Sequence, residues 1–416
     1  MESARIIATV ARIVRDVGIA EELAQDALVA ALEQWPRTGV PERPGAWLTA
    51  AAKNRAIDLV RRRETYARRL AEAGREFVDV TYDPEPSGPG DIDDDLLRLV
   101  FTACHPVLSA EARTALTLRL VGGLRTDEIA RAFLVPEATV AQRIVRAKRA
   151  LAKAGVEFET PYGEERAARL GSVLEVIYLI FNEGYAATAG DDLLRPGLCE
   201  DALRLARVLQ GLMPGEGEVH GLAALLEFQT SRTAARTGPD GAPVLLADQN
   251  RRRWNRLLIR RGFAALERVG TGAYGPYALQ AAIAGCHARA VRYEDTDWRT
   301  IAALYERLAT VAPSPVVELN RAVAVSMAYG PEVALDMVGR LAAAEPGLEE
   351  YHLLPSVRGE LLARLGRAGE ARAEFARAAT LTRNERERAL LSAKAAAAAA
   401  TAAAEESPGG DGPHGR

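Results

Sequence analysis

The stretch that decides the fold is GLRTDEIARAFLVPEATVAQRIVRAKRAL, residues 123–151. Thr126 stands where it can cap a short helix over residues 127–133, and Asp127 and Glu128 fall in the first turn, where the helix dipole favours acids. Pro136 suits the opening turn of a second helix, with Glu137 behind it. Thr139 and Val140 then lead into a face carrying Gln142, Arg143, Arg146, Lys148 and Arg149. Two short helices joined by a tight turn read as a helix-turn-helix. Ala130 is small enough for a close crossing, and Ile129, Val140 and Ile144 supply the apolar contact. Leu134 occupies a turn position where glycine is common. Residues 137–153 hold five basic side chains against one acid, the charge pattern of a helix held against phosphates. A basic amphipathic helix can equally be a solvated face; the capped helix before it tips the balance towards DNA.

At 416 residues the chain is long enough for two or three domains, each with its own core. Alanine, leucine, arginine and glutamate dominate and aromatics are only 6% of residues, which predicts an all-α protein rather than a large sheet. The formal charge of −3 conceals local segregation: residues 53–69 carry seven bases and two acids, whereas residues 76–95 carry eight acids and no base. Cys104, Cys199 and Cys286 are too scattered for a disulfide framework and fit a reducing cytoplasm. Cys104-His105 and Cys286-His287 lack further ligands at zinc spacing, so a core role is expected, with neither metal nor cofactor. No apolar run reaches membrane-spanning length.

Upstream, Ile6, Val10, Ile13, Val14 and Val17 make one helical stripe ending at Gly18. A second helix over about residues 19–35 can turn Leu23, Ala27, Ala31 and Trp35 inward, leaving Glu21, Glu22, Gln25, Asp26 and Glu33 as an acidic outer surface. A loop stiffened by Pro36, Pro41 and Pro44 precedes a third helix, residues 46–63, with Trp47, Leu48, Ile57, Leu59 and Val60 inward and an arginine run at its end.

The series GIAEELAQDALVAALEQW, PGAWLTAAAKNRAIDLVRRR and LRTDEIARAF with PEATVAQRIVRAKRAL resembles regions two and four of the sigma-70 family in its compact extracytoplasmic-function type, over about residues 1–155. The resemblance implies that Glu22, Gln25 and Asp26 dock on the β′ clamp helices of core RNA polymerase, and that region four meets the β flap. It implies that the loop of residues 37–45 with Asn54 captures a flipped base of the minus-ten promoter element, while Lys53, Arg55, Arg61, Arg62 and Arg63 hold the backbone. A shaped polar pocket beside basic side chains suits such capture. The helix carrying Thr139, Gln142, Arg143, Arg146 and Lys148 would read the minus-thirty-five element, with Ala141 and Gln142 standing where many relatives carry a basic residue and a serine. Against the resemblance, the first helix either is shortened or begins upstream of Met1.

The resulting division is region two over 1–75, an acidic flexible linker over 76–95 and region four over 96–155. A helical extension follows over 156–292, then tetratricopeptide-like repeats over 293–404 and a disordered tail over 405–416. In the extension, Asn182, Glu183, Asp191 and Asp192 read as a capped helix end with a polar loop, because no nucleophile or phosphate loop accompanies them. Six arginines between Arg251 and Arg261 are expected on one helix spanning residues 250–269. Gly359, Ala371, Phe375 and Ala378 have the small-and-bulky spacing of tetratricopeptide repeats, which Ala322, Ala334, Val338 and Leu341 repeat and Ile301, Tyr305, Leu308 and Pro313 partly echo. The expected function is a cytoplasmic, non-enzymatic sigma factor that joins core polymerase and promoter DNA. Its extension would act through a protein partner or an intramolecular contact. The alternative is a one-component helix-turn-helix regulator with a helical sensing domain.

Overall fold

Ala4, Ile6, Ile7, Val10 and Ile13 bury one side of α1 (Glu2–Val14), the stripe that its periodicity predicts. Arg15 then adopts a left-handed φ of 53°, and Asp16 starts α2 (Val17–Thr38) by accepting from the Gly18 and Ile19 amides at 2.7 and 3.0 Å. The chain thus reverses in two residues. The computed structural model describes residues 2–72, 89–133, 135–185, 194–239, 242–270, 272, 274–382 and 384–406, in two units, Met1–Ile180 and Phe181–Arg416. Among these residues every regular element is helical, apart from one isolated bridge between Thr237 and Pro243.

In the first unit, α1, α2 and α3 (Pro44–Glu72) pack against one another as a three-helix unit. α4 (Pro89–Ala103) packs on α1 and is followed by α5 (Ala110–Thr117), a π-helical turn over Leu118–Gly122, α6 (Thr126–Phe133) and α7 (Glu137–Lys153). α4 begins at Pro89, so the last part of the expected linker is helical. Asp95 is completely buried and pairs with Arg12 at 3.1 Å and Arg98 at 2.8 Å. Proline and acidic residues both favour the first turn of a helix, so this end of the expected spacer starts α4. Residues 76–88 lie outside the described residues.

α8 (Gly163–Tyr185) crosses from one unit into the other. Its first half belongs with α4 and α5: Arg169 lies 5.7 Å over the Phe101 ring, Ser172 donates to the Cys104 carbonyl at 2.7 Å, and Glu175 pairs with Arg113 at 3.2 Å. The Cys104 thiol, buried against the Thr117 hydroxyl at 3.2 Å, is pushed up to about 11 by desolvation.

The second unit is built around α10 (Gly217–Ser231), which packs against α9 (Pro196–Leu212), α11 (Arg256–Glu267) and α12 (Pro276–Arg289) and is buried nearly all round. α12 is capped by charge at both ends. Glu218 accepts from the Tyr277 and Ala278 amides at 2.9 and 3.0 Å, and Arg251 donates to the His287 and Ala290 carbonyls at 2.5 and 2.9 Å. Arg251 therefore does not stand on a basic helix. Arg251–Arg253 form a separate 3-10 turn, because Asn250 caps that turn, Asn255 caps α11 and the buried Trp254 anchors the break between them. His287, buried beside Trp298 with Arg232 and Arg251 near, is held down to about 3 and stays neutral.

From α13 (Trp298–Val311) the chain forms successive helices: α14 (Pro315–Tyr329), α15 (Pro331–Ala344), α16 (Leu353–Arg364), α17 (Ala368–Leu381) and α18 (Glu385–Glu406). Each packs on the next, and α14 also meets α16. A Cβ placed on Gly359 would stand 2.8 Å from the Phe375 ring, and Ala371 and Ala378 are fully buried beside it.

The tightest crossing is α10 on α12. A Cβ added at Gly221 would lie 2.6 Å from the Ala278 nitrogen and 2.8 Å from its Cα, backbone atoms that no rotamer change can move. Gly221→Ala is expected to cost about 1–3 kcal/mol of overpacking, partly offset by the roughly 1 kcal/mol that alanine gains in a helix. Urea unfolding followed at Trp254 and Trp298 measures it, and an unchanged midpoint would contradict the crossing.

Candidate nucleic-acid and polymerase interfaces

Val140, Ile144, Ala147 and Leu151 bury one side of α7, and Ile129 and Ala130 of α6 are buried as the helix-turn-helix reading requires. Pro136 caps α7 rather than opening it, and Leu134 lies outside the described residues. The opposite side of α7 exposes Ala141, Gln142, Val145, Arg146 and Arg149, with Thr139 and Arg143 half-buried at its edge. Gln142 and Arg146 are one turn apart, so they present adjacent polar heads along one stripe.

Lys148 is placed differently. Its Nζ pairs with Glu21 at 2.5 Å, and Arg119 reaches the same carboxylate at 2.6 Å. Glu21 is only 5% exposed, which corrects its expected place on the acidic outer surface. The reason is the tight α1–α2 turn, which sets Gly18 so close to α7 that a Cβ placed on it would stand 3.4 Å from the Lys148 side chain, and leaves the first turn of α2 facing α7. Arg119 comes from the π-helical turn and also donates to the Leu124 carbonyl at 3.3 Å, so one charge cluster joins α2 to the entry of the helix-turn-helix.

On α3, Leu48, Ala52 and Ala56 are buried. Asn54, Arg61, Arg62 and Arg63 are exposed, while Lys53 and Arg55 are half-buried. Trp47 and Trp35 meet edge-on at 5.6 Å, both half-buried, at the base of the connection between α2 and α3. That loop is shorter than expected: α2 runs on through Pro36 to Thr38 and stops at Gly39, whose φ of 83° ends the helix.

On α2, Ala27 and Ala31 are buried as expected, while Leu23 and Trp35 are half-buried. The buried side of the helix is a stripe of alanines, Ala20, Ala24, Ala27, Ala30 and Ala31, which lets the helices approach closely. The large apolar residues face out: Leu28 is 41%, Val29 52% and Leu32 75% exposed, beside exposed Glu22, Gln25 and Asp26. Contiguous apolar side chains rimmed by acids mark a protein-binding surface.

The polar cluster of the extension is structural where it is described. Glu183 pairs with Arg195, and Arg236 stacks 3.6 Å over Tyr185 while donating to its carbonyl. Asp191 and Asp192 lie outside the described residues. Among the described residues no group of three or more His, Cys, Asp or Glu side chains could hold a metal, and no helix is long and apolar enough to cross a membrane.

Sequence comparisons agree with this geometry. Residues 2–66 match sigma-70 region 2 and residues 98–151 match sigma-70 region 4. Residues 169–270 match a family of unknown function (DUF6596). The chain is 32% identical over 141 residues to the ECF RNA polymerase sigma factor SigL of Mycobacterium tuberculosis, covering 34% of this chain and 76% of that one. It is 29% identical over 151 residues to the ECF RNA polymerase sigma factor SigK of Mycobacterium ulcerans, covering 35% and 78%. An uncharacterized protein of Rhizobium meliloti is 47% identical over 386 residues, 91% of this chain and 90% of its own. The exposed basic helix, the three-helix unit before it and these matches define a sigma-70 protein. The chain belongs to the ECF RNA polymerase sigma factors, with an extension that carries the family of unknown function.

Proposed function

We propose that the chain is an alternative sigma factor that binds core RNA polymerase and directs promoter-specific initiation, without catalytic activity of its own. The observation that carries this is the occurrence on one chain, in order, of a region 2 unit with an exposed acidic and apolar α2 face and a region 4 helix-turn-helix with an exposed basic face. A one-component regulator needs no region 2. In this reading Glu22, Gln25 and Asp26 dock on the β′ clamp helices and region 4 meets the β flap. Asn54 and the α2–α3 loop take a minus-ten base, while Lys53, Arg55, Arg61, Arg62 and Arg63 hold the strand. Thr139, Gln142, Arg143 and Arg146 enter the minus-thirty-five groove, and Lys148 joins them only on leaving Glu21. The division at residues 75, 95, 155 and 292, a tetratricopeptide-like character for residues 293–404, from α13 to α18, modulation by the extension and a cytoplasmic setting complete the proposal.

Transcription from a mapped promoter, with core enzyme and the full chain, tests it. Arg143→Ala and Arg146→Ala are each expected to weaken promoter binding by about 1–3 kcal/mol where they read a base edge, and by less where they touch phosphate. Lys153→Ala should change little. Unchanged promoter binding and transcript in both arginine variants would overturn the assignment of α7.

A further inference from the structure

The second unit contains a groove of about 310 Å³ whose chemistry nothing in the sigma factor role uses. Arg207 and Gln210 of α9 form one side, and Arg261, Ala264, Ala265 and Arg268 form the other. The spacing of the latter puts them on one face of α11 and its C-cap. Between them lies Glu227 of α10, the helix against which both α9 and α11 pack.

Glu227 is only 3% exposed. Both Nε and Nη2 of Arg207 reach its Oε1, each at 2.8 Å, while its buried Oε2 has no hydrogen-bond partner. Burial pushes the carboxyl above its usual range, countered in part by Arg207 and Arg261. Tying α9 to α10 requires one such pair, and Arg207 alone supplies it. Arg261 and Arg268 form no ion pair among the described residues, and the alanines between them leave the space open where larger side chains would fill it. Three guanidinium groups around one carboxylate repel one another unless an anion enters.

We propose that this groove binds a small polyanionic metabolite, a molecule with two or more carboxylate or phosphate oxygens for the arginines and a hydroxyl or ammonium donor for Glu227. Guanidinium forks match carboxylate and phosphate geometry in pairs. Arg261 and Arg268 are seven residues apart, roughly 10 Å along a helix, so they hold separate anionic ends of one ligand, with Arg207 beside Glu227 between the helices. A cavity of about 310 Å³ is at the small end of ligand pockets and suits a metabolite rather than a nucleic-acid strand or a peptide helix. A small turn of the Glu227 side chain brings Oε2 to the ligand donor and gives that buried atom the partner it lacks.

The test is calorimetric titration of the full-length protein, in moderate salt, with citrate and with fructose 1,6-bisphosphate, each of which carries separate anionic groups and a hydroxyl. Binding of citrate alone assigns a carboxylate ligand, and of fructose 1,6-bisphosphate alone a phosphate ligand. Binding of both leaves the arginine groove as the common element. In each case the double variant Arg261→Gln, Arg268→Gln should lose at least tenfold in affinity, while Arg252→Gln, exposed outside the groove, should bind as the parent does. Both groove arginines are exposed and form no ion pair, so circular dichroism should be unchanged. Tricarballylate, which is citrate without its hydroxyl, should bind more weakly than citrate. No heat with either probe at millimolar concentration overturns the proposal. So does equal weakening by Arg252→Gln, which would mean diffuse charge attraction instead of a site.

Discussion

Replacing Glu21 by alanine is expected to destabilise the first unit by about 2–3 kcal/mol. Removing one member of a fully buried ion pair costs about 3–5 kcal/mol, because the partner charge is left without compensation. Here the carboxylate is buried, with a side chain only 7% exposed, while Arg119 and Lys148 keep 23% and 22% exposure, so water recovers part of the loss. Gln25 adds a hydrogen bond to Oε1 at 2.9 Å. Glu21→Gln keeps the volume but not the charge and should fall between parent and alanine variant. Combining Glu21→Ala with Lys148→Met should recover some stability, since it removes a cation that has lost its anion. Trp35 and Trp47 report on this unit and Trp254 and Trp298 on the other, so spectra of the Trp254→Phe, Trp298→Phe background separate the two transitions in urea. A Glu21→Ala midpoint equal to the parent's would refute the cluster.

The helix-turn-helix was legible because its signals are local. Acids in a first turn, a proline at a helix start and apolar residues at helical spacing constrain a short segment, and Ile129, Val140 and Ile144 are buried as their spacing predicts. α2 was legible in part. Ala27 and Ala31 are buried as expected, but Leu23 and Trp35 are only half-buried, because close helix crossing selects the small residues, and Leu28, Val29 and Leu32 stay outside. Glu21 was misread for a related reason. Its burial depends on Arg119, 98 residues away, and Lys148, further still, and no local pattern encodes that pairing. The arginine run failed at Asn250 and Asn255. Either residue is an ordinary polar residue in a helix-length window, yet each caps a separate element. The groove around Glu227 draws on three helices, so only the folded chain assembles it.

The exposed α2 face leads to the second large effect. If Leu28, Val29 and Leu32 enter the polymerase interface beside Glu22, Gln25 and Asp26, Leu32→Glu should weaken core binding by two orders of magnitude or more. Burying a leucine side chain is worth about 1.5–3 kcal/mol, and a carboxylate in its place adds the cost of desolvating a charge. Each 1.4 kcal/mol is about tenfold in affinity, so the two together exceed a hundredfold. Asp26→Lys attacks the same surface through charge, since like charges set against each other at an interface cost several kcal/mol. The two variants differ in salt response. Raising ionic strength screens exposed charges over about 10 Å at 0.1 M, so it should narrow the gap between parent and Asp26→Lys, whereas the apolar loss in Leu32→Glu persists. Leu32 is 75% exposed and Asp26 is also exposed, so neither change disturbs the α1–α3 packing and circular dichroism should match the parent. Co-purification with core enzyme, at low and high salt, measures both. Parent-like retention of Leu32→Glu would remove α2 from the interface, and loss of binding only at low salt would assign the contact to the acids alone.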